Sequence, residues 1–436
     1  MIKIQTTTEM IESKGGLILA GKAAVKIGLG SIQNSNVKNA GNIIKSLFGL
    51  MVEGKSDFES LAEKRESLFF KEALELSCVY AKETIRLYLE KMAADAEGII
   101  RQLRECSVKI IGKAPMHGIW INKKQYLPVD IDTTTMNNSK TKKEGVSRTY
   151  QGYDGFHPIV AYIGKEGYML DCELRPGSQH CQKGTVSFIN GVIKLARSEH
   201  LGGRFLFRMD SGNDSFETLK ATAAAEEGLY CIIKRNKRKE SDIKWLKIAE
   251  RYGKQVEERD GKKVWIGTID IPPRKKNEIL SGVKCVFEVI ERTSDSEGNP
   301  YLFPEIEVNS WWTNLDCEAE KVIDLYHDHA ISEQFHSELK HDMGIERLPS
   351  GKLAVNKIVF AVSMNAYNTL KMLGQKAIER KWQKIFKRKR IGKVIQDIIC
   401  VAGKLVKHGR ELIFKIYKRE PMLPLILRLN AALDLL

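Results

Sequence analysis

Apolar positions recur at helical spacing through the first quarter of the chain. Leu17, Leu19, Ala20, Ala24, Val25 and Ile27 open one such stretch, and Ile43, Ile44, Leu47, Phe48, Leu50 and Met51 form another. Two more lie between Ser56 and Met92, the first with Ser56 as a candidate cap. Residues 1–118 therefore read as a helical module of their own. The period changes near residue 119. Tyr126–Met136 suits a strand, and Gly155–Gly164 with Gly167–Pro176 suits a hairpin turning at Lys165-Glu166. A helix near Lys183–Ser198, a strand at Arg204–Asp210, a helix from Ser215 to Glu227 and a strand at Leu229–Lys234 follow. That order gives a mixed α/β layer rather than a uniform βαβ winding.

The alternation then breaks. Residues 237–315 are rich in Lys and Glu, with strand-like pieces at Lys263–Ile271, Val283–Arg292 and Glu305–Trp312 between turn-rich stretches. They read as a β-rich insertion. A long helix from Glu318 to about Met343 resumes the core, and a second runs from about Lys352 to Leu373. The expected organisation is thus 1–118, 119–236, the insertion at 237–315, 316–375, and a basic helical C-terminal region at 376–436.

Composition narrows the class. With 43% apolar and 29% charged residues, the chain can bury a core. No run approaches the roughly 18 apolar residues of a membrane span. The opening MIKIQTTTEMIESKGG has no apolar signal core, so a cytoplasmic setting is expected. Eight cysteines, scattered without a CxxC pair, suit a reducing compartment. Lys and Arg number 70 against 55 Asp and Glu, a net charge of +15. Residues 376–420 alone hold fifteen Lys/Arg and four Asp/Glu. Such an excess points to a polyanionic partner, or to a solvated helix face.

Three acidic residues stand out by context. Asp132 ends a strand in Val-Asp-Ile-Asp-Thr-Thr-Thr, and Asp210 ends another in Arg-Phe-Leu-Phe-Arg-Met-Asp-Ser-Gly. Carboxylates at the carboxyl ends of buried strands sit at the rim of a sheet, where α/β sites lie. Either could instead cap the next turn. Glu333 lies in the segment 326–340. On an ideal helix Tyr326, His329, Glu333 and Lys340 fall at about 0°, 300°, 340° and 320°, one narrow face. That face is a site or a solvated polar surface. Three such carboxylates could hold a pair of Mg²⁺ ions, which favour oxygen ligands and substrate phosphate.

At this point the residues resemble a family. Tyr326, His329, Glu333 and Lys340 match the spacing of the Tyr-x2-Arg-x3-Glu-x6-Lys signature of bacterial insertion-sequence transposases with a DDE site. Asp132 before Thr133-Thr134, Asp210 before Ser211-Gly212, the stretch from Gly155 to His180, and Trp312-Thr-Asn-Leu resemble it too. The resemblance runs from about residue 15 to 415. It implies an RNase H-like core with a β-strand insertion, and an N-terminal module that binds terminal inverted repeats. It implies phosphodiester hydrolysis at transposon ends, then attack by the freed 3′-OH. Asp132, Asp210 and Glu333 would be the metal triad for two Mg²⁺ ions, with Mn²⁺ able to substitute. Tyr326, His329 and Lys340 would contact DNA phosphate. Partners would be double-stranded DNA, both inverted repeats and target, and a second copy in a synaptic homodimer; the location would be the bacterial nucleoid.

One departure is His329, where the family has Arg with its bidentate fork. A silent, transposase-derived DNA-binding protein is therefore one alternative, and a structure-specific nuclease another. Trp311 or Trp312 could stack on a flipped base, as a Trp of the insertion does in some relatives, or simply pack. In the tail, Lys384, Lys387, Arg388, Lys389, Arg390 and Lys393 could track DNA phosphates, while interleaved apolar residues pack an amphipathic helix on the core. Gly16–Ala23 resembles a Walker loop but lacks the closing Ser/Thr, and reads as helix packing. Histidines 327, 329, 336 and 341 match no zinc spacing.

Overall fold

The computed structural model of the chain describes residues 3, 5–295, 297–378, 386–409 and 411–435. Its centre is a ten-stranded mixed sheet. Strand β1 spans Lys124–Thr133, β2 Ile159–Ile163, β3 Tyr168–Glu173, β4 Phe205–Met209 and β5 Leu229–Lys234. They lie in the order β3-β2-β1-β4-β5. Strands β1, β4 and β5 run parallel, while β2 and β3 run antiparallel to their neighbours. This is the mixed α/β layer that the order of elements predicts, and it agrees with the RNase H-like core that the resemblance implies.

Residue alternation explains why the sheet is covered on both faces. In β4, Phe205, Phe207 and Met209 enter the main core, whereas Leu206 joins a second cluster on the opposite face. Helices α1 (Leu17–Lys26), α2 (Ala40–Val52), α3 (Ala96–Gly112), α4 (Thr185–Ser198) and α5 (Phe216–Thr222) precede or join these strands. The insertion opens with helix α6 (Asp242–Tyr252). It continues through β6 (Gly253–Arg259), β7 (Lys262–Ile269), β8 (Lys284–Ser294) and β9 (Pro300–Thr313). It is not a detached unit. Ile232, Ile233 and Lys234 of β5 pair with Thr313, Trp312 and Trp311 of β9, so the insertion extends the core sheet at its edge. Helix α7 (Ala319–His327), a 3-10 turn at Asp328–Ala330, α8 (Ile331–Ser337) and a π-turn at Glu338–Asp342 cross the second face. The expected single long helix is therefore one path with two changes of pitch.

Helix α9 (Leu353–Ala377) follows and is buried along almost its whole length. A helix buried on every side needs partners on every side. Helices α2 and α3 of the N-terminal part pack along it. Residues 1–118 are thus packed onto the central sheet through α9, rather than forming a module of their own. Gly21 of α1 shows the same closeness: a Cβ there would lie 1.8 Å from the Ala73 carbonyl oxygen. The Walker-like stretch is a packed helix.

The C-terminal region also differs from the helical expectation. A short helix at Ile391–Val394 and a π-turn at Ile395–Ile399 lead into a hairpin, β10 (Gly403–His408) and β11 (Glu411–Ile416). Helix α10 (Leu423–Asp434) ends the chain. In β11 Leu412, Phe414 and Ile416 are half-buried and alternate with the exposed Glu411, Ile413 and Lys415, which is a period of two. The strand Met10–Glu12 pairs with β10, and Lys22 of α1 binds Asp434 of α10 at 2.7 Å. The two ends of the chain fold together.

Edge strand β3 is closed by a side chain. The Met169 amide donates to Asn368 Oδ1 at 2.7 Å, and Asn368 Nδ2 donates to the Met169 carbonyl at 2.8 Å and to Ser107 Oγ at 2.7 Å. Asn368→Leu leaves both backbone groups buried and unpaired. It is expected to destabilise the protein by about 3 kcal/mol or more. Urea unfolding would measure this, and a change within about 0.5 kcal/mol would contradict it.

Candidate active site

Parallel pairing of β1 with β4 builds the site. The register sets Asp130 against Arg208, and two residues further on Asp132 and Asp210 reach the carboxyl ends of neighbouring strands. Asp130 and Asp132 share one face of β1, since side chains alternate. The α7–α8 path lies over that face. At the lower level Arg208 binds Asp130 through Nε and Nη2, both at 2.7 Å, and donates Nη1 to the Leu325 carbonyl at 2.8 Å. His329 Nδ1 lies 2.8 Å from Asp130 Oδ1. At the upper level His336 Nε2 lies 3.3 Å from Asp132 Oδ2, and Ser332 Oγ donates to the same oxygen at 3.4 Å.

A cleft of about 610 Å³ opens above this second level. Asp132, Asp210, Tyr326, His329, Glu333, His336 and Lys340 all line it. The two pitch changes shift the ideal helical face, yet the four signature positions still reach one cavity. Glu333 is exposed at the rim. Lys340 donates to Thr134 Oγ1 at 3.1 Å and to the Thr135 carbonyl at 3.3 Å, so its charge is anchored beside the Thr run after Asp132. A second cleft of about 570 Å³ lies past Tyr150, Arg148 and His157, and Asp132 and Asp210 line it as well.

The two aspartates titrate in opposite directions. Burial would raise Asp132, but the His336 imidazole 3.3 Å away, the His329 imidazole and the Thr133 amide outweigh it and hold the carboxyl below its ordinary value. Asp210 is raised, first by burial and then by the negative charge of Asp132. Two carboxylates that repel at one rim suit a divalent cation. Mg²⁺ is commonly held by one or two carboxylates, with water and phosphate oxygens as its other ligands. Among the described residues no three His, Cys, Asp or Glu side chains converge on one point. Asp132 and Asp210 are the pair that could hold an ion, and Glu333 lines the same cleft.

Several expected DNA contacts are occupied inside the chain. His329 is buried and serves Asp130 instead of presenting a fork to phosphate. Its place beneath the site explains why a shorter imidazole fits there. Trp311 and Trp312 are 1% and 8% exposed, so neither offers a stacking face. Trp311 packs on Tyr326 with ring centres 5.6 Å apart, and Trp312 Nε1 donates to Asp214 at 3.0 Å. Arg388 pairs with Glu338, Arg390 with Asp342, and Lys389 and Lys393 with Asp397. Lys387 is exposed, and Lys384 lies outside the described residues. The histidines form no metal cluster among the described residues, and His336 Nδ1 meets the Tyr162 hydroxyl at 3.1 Å. Sequence reasoning missed Asp130, Arg208 and His336. The repeated spacing Asp130-x-Asp132 and Arg208-x-Asp210 was the available signal, because it puts an ion pair directly below the carboxylate pair.

The family model described as transposase DDE domain, group 1, matches residues 1–436. No curated protein matches the chain. Among solved structures, the cryo-EM structure of the piggyBac transposase synaptic complex with hairpin DNA is similar. It is 11% identical, over 88% of this chain and 76% of that one, with a TM-score of 0.43.

The His329–Asp130 pair sets a pH dependence. Burial alone would lower His329, but the hydrogen bond and charge of Asp130 outweigh it and raise it above the ordinary histidine value. Its stabilisation is fully present below the unfolded value of about 6.5 and is lost as pH rises through the higher folded one. His329→Asn should therefore lose most stability against wild type near pH 5.5, with a gap that narrows towards pH 9. Thermal unfolding across that range checks the sign, and a gap that widens with pH would contradict it.

Proposed function

The chain belongs to the transposase DDE domain group 1 family, and from that premise we propose that it cuts DNA at the ends of its own element and joins the freed 3′-OH to target DNA. The observation that carries this reading is the placement of Asp132 and Asp210 on adjacent parallel strand ends, with Glu333 and Lys340 across one cleft. Asp132 and Asp210 would hold a divalent cation, with Glu333 as the third carboxylate. When bound, Mg²⁺ or Mn²⁺ would activate the attacking oxygen and relieve charge on the leaving one.

The chain's own residues do the rest. His336 and Ser332 orient one oxygen of Asp132, which leaves the carboxylate ionised and aimed. Asp130 and Arg208 fix both strand ends from below, so the two carboxylates keep their spacing when DNA binds. Lys340 places a positive charge on the cleft wall for a phosphate oxygen. The buried flank of Tyr326 against Trp311 seals that wall from solvent. The partners of this reading are terminal inverted repeats and target duplex, brought together by two copies of the chain. A bacterial insertion sequence is the proposed source. No helix among the described residues is long and apolar enough to cross a membrane.

The test uses a duplex carrying the inverted repeat beside the gene, with Mg²⁺ or Ca²⁺. Asp132→Asn, Asp210→Asn and Glu333→Gln should each lower Mg²⁺-dependent cleavage at the repeat boundary by about 10³-fold or more, about 4 kcal/mol of transition-state stabilisation. Binding to the repeat should be largely spared. Cleavage that persists in Asp210→Asn would sink the assignment. Tight binding by wild type without any cut would favour the silent DNA-binding alternative.

A further inference from the structure

Asp132 and Asp210 are held by a sheet, but Glu333 has no such support. It sits on a seven-residue helix between a 3-10 turn and a π-turn. Short, interrupted helices do not hold a side chain in place by themselves. The face of this path turned away from the cleft carries Gln334, Glu338 and Asp342 at four-residue spacing, with Ser337 beside them. Residues 388–392 run along it and contact every one.

The contacts alternate. Arg388 donates Nη2 to Gln334 Oε1 at 2.7 Å and pairs through Nη1 with Glu338. Arg390 donates to Asp342 at 2.8 and 3.1 Å and to Ser337 Oγ at 3.2 Å. The backbone joins in: the Ile391 amide donates to Glu338 at 3.0 Å, and the Gly392 amide to Asp342 at 2.9 Å. Glu338 is wholly buried and also meets Lys371 of α9 at 2.9 Å. Phe335, two residues beyond Glu333, has the Arg388 and Lys371 cations each 4.9 Å from its ring centre. The same ring presses on Gly167, where a Cβ would lie 2.2 Å away. A DNA phosphate would have to displace Glu338 to engage Arg388. That would take from the buried Glu338 one of its two cationic partners, which is costly.

We propose that residues 388–392 are a strap that fixes Glu333 and Lys340 at the cleft, and that Arg388 is a positioning residue for cleavage rather than a DNA contact. The role rests on the proposed function. Arginine is required because its planar fork reaches Gln334 and Glu338 together, which a lysine cannot do. The strap explains why an arginine from the basic tail has only 11% of its side chain exposed.

Arg388→Ala and Arg388→Lys separate the possibilities through three readouts. Amide hydrogen exchange over residues 331–342, in the DNA-free full chain, should quicken in Arg388→Ala and partly recover in Arg388→Lys. The single-turnover cleavage rate at saturating DNA should fall by about 10–100-fold in Arg388→Ala, as expected when a reacting group is misplaced by an ångström. Repeat affinity and its salt dependence should stay at the wild-type values. A salt slope smaller by about one would show a lost phosphate contact and overturn the proposal. Unchanged exchange and unchanged rate would overturn it as well. If Arg388→Ala fails to fold, Arg388→Lys carries the same three comparisons. If wild type binds the repeat but cuts with no metal, the proposed function fails, and the exchange measurement alone then decides whether the strap exists.

Discussion

The buried pair of Asp130 and Arg208 is the constraint on which the site depends. Each lies on one of two adjacent parallel strands, and their bidentate contact at 2.7 Å locks the register between them. A slip of one residue would send every side chain of that strand to the other face. Asp132 and Asp210 would then no longer share a rim. The pair is also fully removed from water, so its charges are not screened and breaking it leaves an uncompensated buried ion. His329 adds a third partner from the helical path above. One cluster thus ties the two strands to each other and both to the segment that carries Glu333.

The same cluster changes the meaning of His329. Read against the family pattern, histidine in place of arginine looks like damage to a phosphate contact. In the structure its imidazole points down to Asp130, beside a guanidinium that already occupies that carboxylate. A second arginine would crowd Arg208 and carry its charge at every pH, whereas the imidazole can lose it. The substitution is consistent with the local charge balance, and decay is not needed to explain it.

What was legible in the sequence followed from period and from strand ends. The apolar runs at 204–210 and 126–136 gave two strands, and an aspartate closing each gave two of the three candidate carboxylates; that the strands are parallel neighbours was seen only in the structure. Glu333 was legible only through spacing, and its spacing was computed for an ideal helix that the chain does not keep. The N-terminal helices looked independent because their amphipathic faces can be read locally, whereas the buried α9 that joins them to the core lies some 250 residues on. The hairpin at 403–416 was hidden by its lysines, which suggest a solvated helix until the alternation of Leu412, Phe414 and Ile416 is seen. Long-range pairing of this kind, including that of Met10–Glu12 with β10, leaves no local signature.

Charge was the least reliable guide. The tail has the largest basic excess in the chain, and composition alone assigns that excess to a polyanion. Yet Arg388, Lys389, Arg390, Lys393 and Lys404 each have an acidic partner within the chain. Exposed pairs such as Lys393–Asp397 are worth little and can exchange a carboxylate for a phosphate. The Arg388–Glu338 pair cannot, because Glu338 has no water to replace its partner. The tail therefore divides by burial rather than by residue type. Its exposed lysines lie at the surface, while Arg388, with only 11% of its side chain exposed, is turned onto the helical path beneath. A net charge counts both alike; only the location of the opposing carboxylate separates attraction of a substrate from support of a site.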